Sequence, residues 1–127
     1  MAESILSEKS FSFAIRIVNF YRYLSQDKSE FVLSKQLLRS GTAIGALVSE
    51  GCFAESKLDF IHKFGIAQKE CNETLYWLKL LFYTNYINQK EYNSLESDGI
   101  ELMKMITASI ITAKKSVKKP LKVVVSD

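Results

Sequence analysis

Residues 39–51 (RSGTAIGALVSEG) follow a helical opening built from Phe31, Val32, Leu33, Leu37 and Leu38, and no proline stops them. The spacing predicts that the helix continues, although Gly41, Gly45 and Gly51 each cost it about 1 kcal/mol relative to alanine. Thr42, Ala43, Ala46 and Ser49 trim its surface further. A helix that gives up this much propensity is expected to let another helix come close. At 100° per residue, Arg39, Ala43, Ala46 and Glu50 fall on one line at i, i+4, i+7 and i+11. The line is a narrow seam of small residues with a cation near one end and an anion near the other. It is predicted to be the organising contact of a helical bundle.

Three further helical stretches surround it. Residues 8–25 form the first, with Phe11, Ala14, Ile17 or Val18, Tyr21 and Leu24 recurring at steps of three and four, and Ser10 as a cap. The seam helix spans about 30–53. Ser56 followed by Asp59, a hydroxyl cap with an acid three residues on, opens a third helix of about 57–86. Within it Phe60, Phe64, Ala67, Cys71, Thr74, Leu78 and Leu81 alternate steps of four and three, as a coiled-coil-like seam does. Ile66, Trp77 and Leu80 fall on the other side of the wheel, so this helix needs two partners. Asn88 and Glu91 cap a fourth helix of about 89–118, carried by Tyr92, Leu95, Leu102, Met103, Ile106, Ile110 and Ala113. Gly99 lies inside it, at a cost or as a local bend. Pro120 is expected to end it and leave 120–127 as an extended tail. The prediction is one all-α domain, an antiparallel up-down four-helix bundle over residues 1–119 with short loops.

A chain of 127 residues, 47% apolar with one proline, has enough material for a real core. Its net charge of +3 is unevenly placed. Residues 114–122 hold five lysines and no acid; taking those from the 17 bases, and Asp127 from the 14 acids, leaves 12 against 13. The basic character belongs to the C-terminal end. Cys52 and Cys71 sit in apolar helical patterns and are expected to be free, buried thiols of a reducing cytoplasm. Neither a leader peptide nor an apolar run long enough for a membrane span is visible.

Catalysis finds little footing. A di-metal carboxylate site in a bundle needs Glu-x-x-His on two helices, whereas Asp59-x-x-His62 is a single near-match and His62 is the only histidine. Neither cysteine lies near a helix start that would lower its pKa. Gly41, Gly45 and Gly51 follow no strand and precede no Gly-Lys-Ser/Thr, so they form no phosphate loop. No catalytic residue, metal or cofactor is expected. Arg39, Glu50, Glu70 and Glu73 lie among apolar neighbours, either as a solvated stripe or as ion pairs between helices or subunits. The aromatic residues are numerous, and Tyr76, Trp77, Phe82, Tyr83 and Tyr86 crowd the end of the third helix. A lone bundle this small hides them poorly, which suggests a protein interface. Arg39, Glu50, Glu70, Glu73 and Trp77 are the expected oligomer contacts. Lys114, Lys115, Lys118 and Lys119 are the expected contacts to a phosphate backbone.

The strings Gln36–Ala46 (QLLRSGTAIGA), Glu50-Gly51, Asp59–Lys63, Ile66–Glu70 and Glu73–Leu78 (ETLYWL), with Ser10-Phe11 and Ala14–Ile17, resemble the four-helix bundle proteins of the 23S rRNA intervening-sequence family over about residues 9–112. The resemblance implies a small bundle that assembles as a ring-like homopentamer, without enzymatic activity. It extends to accessory proteins of diversity-generating retroelements, pentameric barrels that engage a reverse transcriptase and nucleic acid. Leu47 stands where the family often has Asn, and Ala43 where Ser is common, so a polar contact at those places is missing here. The expected function is that of a cytoplasmic, non-catalytic homo-oligomer associated with structured RNA or DNA. The competing expectation is a protein–protein adaptor, such as a reverse-transcriptase accessory subunit, whose lysines are incidental.

Overall fold

A computed structural model describes the backbone of residues 2–126 and the side chains of residues 5–117. Four helices, α1 (Ala2–Gln26), α2 (Leu33–Cys52), α3 (Lys57–Tyr83) and α4 (Gln89–Ser126), are joined by three short turns, and the described residues contain no strand. Local signals account for most of the boundaries. The Ser56 hydroxyl accepts from the Asp59 amide at 3.1 Å and starts α3. At α4 the cap is reciprocal: the Glu91 amide donates to Asn88 Oδ1 at 2.8 Å and the Asn88 amide to Glu91 Oε1 at 2.9 Å. After α3 the chain turns through Asn85 in the left-handed region, φ 70°, which asparagine tolerates better than most side chains.

Helix α2 begins by a device that spacing does not reveal. Its expected start, Glu30, lies before the helix, is buried, and accepts hydrogen bonds from the amides of Val32, Leu33 and Ser34 at 3.3, 3.0 and 2.7 Å. One carboxylate thus satisfies three amides that the helix start leaves without partners. Helix α1 begins at Ala2, six residues before the expected start at residue 8, because the fully buried Leu6 anchors its first turns. Its inward line is Leu6, Phe13, Ile17 and Leu24, whereas Phe11 is 67% exposed. Helix α3 stops at Tyr83 and not at 86. Helix α4 continues past 118 through Pro120, so the extended tail expected over 120–127 is replaced by helical backbone as far as Ser126. A proline ring holds φ near the helical value, but within a helix it removes one ladder bond and crowds the carbonyl four residues back; the backbone of α4 is helical across it nonetheless.

The helices pack α1 on α2, α2 on α3, α3 on α4 and α4 on α1. Here the seam divides into two faces with different tasks. The glycines face inward: a Cβ at Gly41 would lie 2.9 Å from Ile17, one at Gly45 3.2 Å from the Ser10 carbonyl, and one at Gly51 2.6 Å from the Phe64 ring. They let α1 and α3 approach α2 within the chain. Ala43, Ala46 and Glu50 look outward and do not organise the single bundle. Gly99 serves α4 likewise, receiving Leu75 of α3 at 2.9 Å from where its Cβ would stand.

The core runs the length of the bundle through Phe13, Ile17, Leu37, Ile44, Phe64, Leu78, Leu102 and Ile106, each side chain contributing about 1.5–3 kcal/mol by leaving water. A pair of hydroxyls crosses it between α2 and α3. The buried Thr74 and Ser40 hydroxyls lie 3.0 Å apart, each also within reach of a carbonyl one turn back, Glu70 at 2.7 Å and Gln36 at 3.1 Å, so their two protons are shared among three acceptor positions. Ser40→Ala should cost about 1 kcal/mol, and Ser40→Ala with Thr74→Val little more, because Thr74 alone still donates to the Glu70 carbonyl and neither variant leaves a buried donor without an acceptor. Urea unfolding of the three proteins measures the difference.

Candidate functional site

The outward surface of α2 and α3 carries the polar residues that the sequence marks. Arg39, about half exposed on α2, reaches across to two carboxylates one turn apart on α3, pairing with Glu70 at 3.2 Å and with Glu73. The Trp77 indole N–H donates to Glu73 at 3.1 Å. That indole, ahead of the Arg39 guanidinium, holds the Glu73 carboxyl below its usual range, against the partial burial that opposes it. Arg39, Glu70, Glu73 and Trp77 therefore form one network within a single chain. Glu50 is not part of it; it pairs with Lys63 of α3 at 3.1 Å. The sequence leaves open whether these charges are solvated or interhelical, and within one copy they are interhelical.

Between the two ion-pair sites lie Ala43, half-buried, and Ala46, exposed. The middle of this surface thus carries small side chains and its borders carry charge. Exposed ion pairs add only about 0–1 kcal/mol to stability, so a fixed guanidinium between two carboxylates does more to set geometry. Beside it Tyr76, 56% exposed, meets Trp77 edge-on at 5.1 Å. The aromatic crowd at the end of α3 divides accordingly. Phe82 turns in and stacks on Tyr92 at 4.7 Å, while Tyr76, Tyr83 and Tyr86 remain on the surface.

The lysines occupy another place. Lys114 and Lys115 are exposed on α4, and the side chains of Lys118 and Lys119 lie outside the described residues. The cysteines part company too. Cys71 is core; burial pushes its thiol up to about 11, and its S–H donates to the Gly99 carbonyl at 3.2 Å. Cys52, expected to be buried, is exposed as the last residue of α2, where the helix ends although its spacing from Gly41 and Val48 follows the buried line. His62 is exposed. Among the described residues, no three His, Cys, Asp or Glu side chains converge as a metal ion would require, and no helix is long and apolar enough to cross a membrane.

Taken together, the architecture defines an all-α four-helix protein whose polar outer residues are arranged as contacts between helices. The family model of the 23S rRNA-intervening sequence protein matches residues 2–108, and the chain belongs to that family. It is similar to a protein of unknown function from the S23 ribosomal protein family of Bacteroides thetaiotaomicron VPI-5482, solved by crystallography. The two are 48% identical, with a TM-score of 0.86 over 87% of this chain and 98% of that one. No curated protein matches the chain. Neither the family nor the crystallised relative is described as catalytic.

Proposed function

We propose that the protein is a non-catalytic homo-oligomer, five copies in a ring, that acts in the cytoplasm as a nucleic-acid-associated interaction protein. Each subunit is an up-down bundle. Contacts that pair ascending with descending numbers support this on every side: Ser10 and Ile17 against Gly45 and Gly41, Ser40 and Gly51 against Thr74 and Phe64, Gln68 and Cys71 against Thr107 and Gly99, Lys9 and Arg16 against Glu101 and Asp98. The observation that carries the oligomer is the outward α2–α3 surface, where the small side chains of Ala43 and Ala46 lie between the Arg39–Glu70–Glu73–Trp77 network and the Glu50–Lys63 pair. Alanines on an outer face favour the helix itself, and they also admit a neighbour closely. Free thiols fit a reducing compartment.

Nucleic-acid association rests on Lys114 and Lys115, with Lys118 and Lys119 following in the sequence, repeated once per subunit. These lysines lie beyond residue 108, outside the stretch shared with the family. The test has two parts. Sedimentation at micromolar concentration should give a species five times the 14.5 kDa chain, and a monomer refutes the assembly. Binding to a structured RNA should weaken steeply with salt. Changing the four lysines to glutamine should flatten that slope by up to about 0.9 for each phosphate no longer neutralised. Binding that ignores the substitutions leaves the adaptor as the better description. The exposed Tyr76, Tyr83 and Tyr86 favour that second role, since tyrosines are enriched in protein interfaces.

A further inference from the structure

Helix α3 turns one line of residues straight away from the core. Lys69, Asn72, Tyr76, Lys79 and Tyr83 recur at steps of three and four, and all five are exposed. The buried line of Cys71, Thr74 and Leu78 occupies the opposite side of the wheel. Toward the helix start the outer line passes Gly65, where a Cβ would meet nothing within 4 Å. Cations and rings thus alternate, and no carboxylate interrupts them. Helix α4 adds a third cation alongside. Gln68 of α3 donates to the Thr107 hydroxyl at 2.8 Å, and Lys104 is exposed three residues before Thr107. Lys69 and Lys104 therefore flank the same bond between the two helices.

The acids that border this surface are already engaged. Glu70 and Glu73 answer to Arg39, and Glu96 of α4 accepts from the Tyr92 hydroxyl at 2.7 Å. Asp59 stands ten residues before Lys69, about 15 Å away along the helix. Among the described residues none of the three lysines is paired with a carboxylate. Tyr76 and Tyr83, 56% and 69% exposed, each make one edge contact, with Trp77 and Phe82. They stand two turns apart, about 10 Å. Tyrosine alone suits a protein partner, but lysine is depleted from protein interfaces. Lysines without acids suit a phosphate backbone, and every base has a face that a ring can stack on. A duplex keeps its bases stacked on one another, whereas a single strand presents them.

We infer that the outer face of α3 binds a single-stranded nucleic acid, with phosphates on Lys69, Lys79 and Lys104 and bases stacked on Tyr76 and Tyr83. The inference rests on the nucleic-acid reading of the protein but on none of its C-terminal lysines.

The probe is a labelled 20-nucleotide oligouridylate, alone or annealed to oligoadenylate, titrated by anisotropy against the full chain. Tyr76→Ala with Tyr83→Ala should weaken the single strand at least tenfold and the duplex less than twofold. Tyr76→Phe with Tyr83→Phe keeps the rings and should hold the affinity within twofold. Lys69→Gln, Lys79→Gln and Lys104→Gln together should lower the salt slope for the single strand by up to about 0.7 for each phosphate released. All these side chains are exposed, so the thermal midpoint should not move. A chain that ignores the strand at low salt overturns the inference. So does binding indifferent to the alanines, or an equal loss for strand and duplex. Changing Lys114, Lys115, Lys118 and Lys119 to glutamine should preserve the tyrosine effect. If binding vanishes there and survives every α3 variant, the nucleic-acid reading stands and this surface falls.

Discussion

Phe64→Ala should destabilise the protein by about 3–5 kcal/mol, and Gly51→Ala, a change to the better helix former, should destabilise it by about 1–2. Phe64 is fully buried and stacks on Phe60 with ring centroids 4.1 Å apart. Its ring leans on α2 where Gly51 offers no side chain, and a Cβ there would lie 2.6 Å from two ring carbons. Alanine gains at most about 1 kcal/mol of propensity, less in the last turn of a helix, while overpacking against a ring with no free side costs about 1–3. The steric term wins. The two positions must then be coupled. Phe64→Leu shrinks the group that Gly51→Ala strikes, so the double variant should lose at least about 0.5 kcal/mol less than the sum of the singles. Urea unfolding at one fixed protein concentration, with the slope unchanged, measures all four corners of the cycle. A neutral Gly51→Ala, or strict additivity, would mean that α2 and α3 are farther apart than the glycine implies.

That contact also shows where the sequence speaks clearly. Strong period and strong capping largely survive: of the α3 line Phe64, Ala67, Cys71, Thr74, Leu78 and Leu81 are buried as their spacing predicts and Phe60 is half-buried, and Ser56 and Asn88 start the helices that their chemistry predicts. Ser10, the expected cap of α1, instead lies inside that helix and donates to the Ser7 carbonyl. Glycine is more ambiguous. A wheel shows that small residues allow approach, but not which neighbour uses them, and Gly41, Gly45 and Gly51 are used inside the chain, one helix face away from Ala43 and Ala46. In α1 the spacing selects Phe11 wrongly because Phe11 and Phe13 are both apolar, and only the partner helices choose between lines 200° apart. Glu30 as a cap is invisible to spacing because a carboxylate before a helix looks like the first residue of it. The polar network is legible as a set but not as a geometry. Nothing in the spacing of Arg39, Glu70, Glu73 and Trp77 says that one guanidinium reaches two carboxylates, or that Glu50 answers to Lys63 instead.

Because the glycines are spent within the chain, the outward alanines become the sharper probe of assembly. Ala46→Trp should leave the fold of one bundle unchanged within about 0.5 kcal/mol, since Ala46 is exposed and its surroundings are open. The same change should place an indole between the Arg39 network and the Glu50–Lys63 pair. If a neighbouring helix lies there at close range, several ångströms of added bulk cannot be absorbed by rotating one small side chain. If the proposed five-copy assembly uses this surface, a loss of about 3 kcal/mol per interface, roughly a hundredfold in dissociation constant, should drive it towards the 14.5 kDa monomer in the micromolar range. Ile111→Trp, on the outer face of α4 and 51% exposed, adds comparable bulk away from that surface and should leave the mass alone. Arg39→Ala should act more weakly than Ala46→Trp, because it removes an intrachain strut and does not block the approach. Sedimentation of the three variants beside the parent decides the matter. An assembly that tolerates Ala46→Trp but not Ile111→Trp would move the interface to α4, and one that tolerates both would leave the α2–α3 surface free for a partner of another kind.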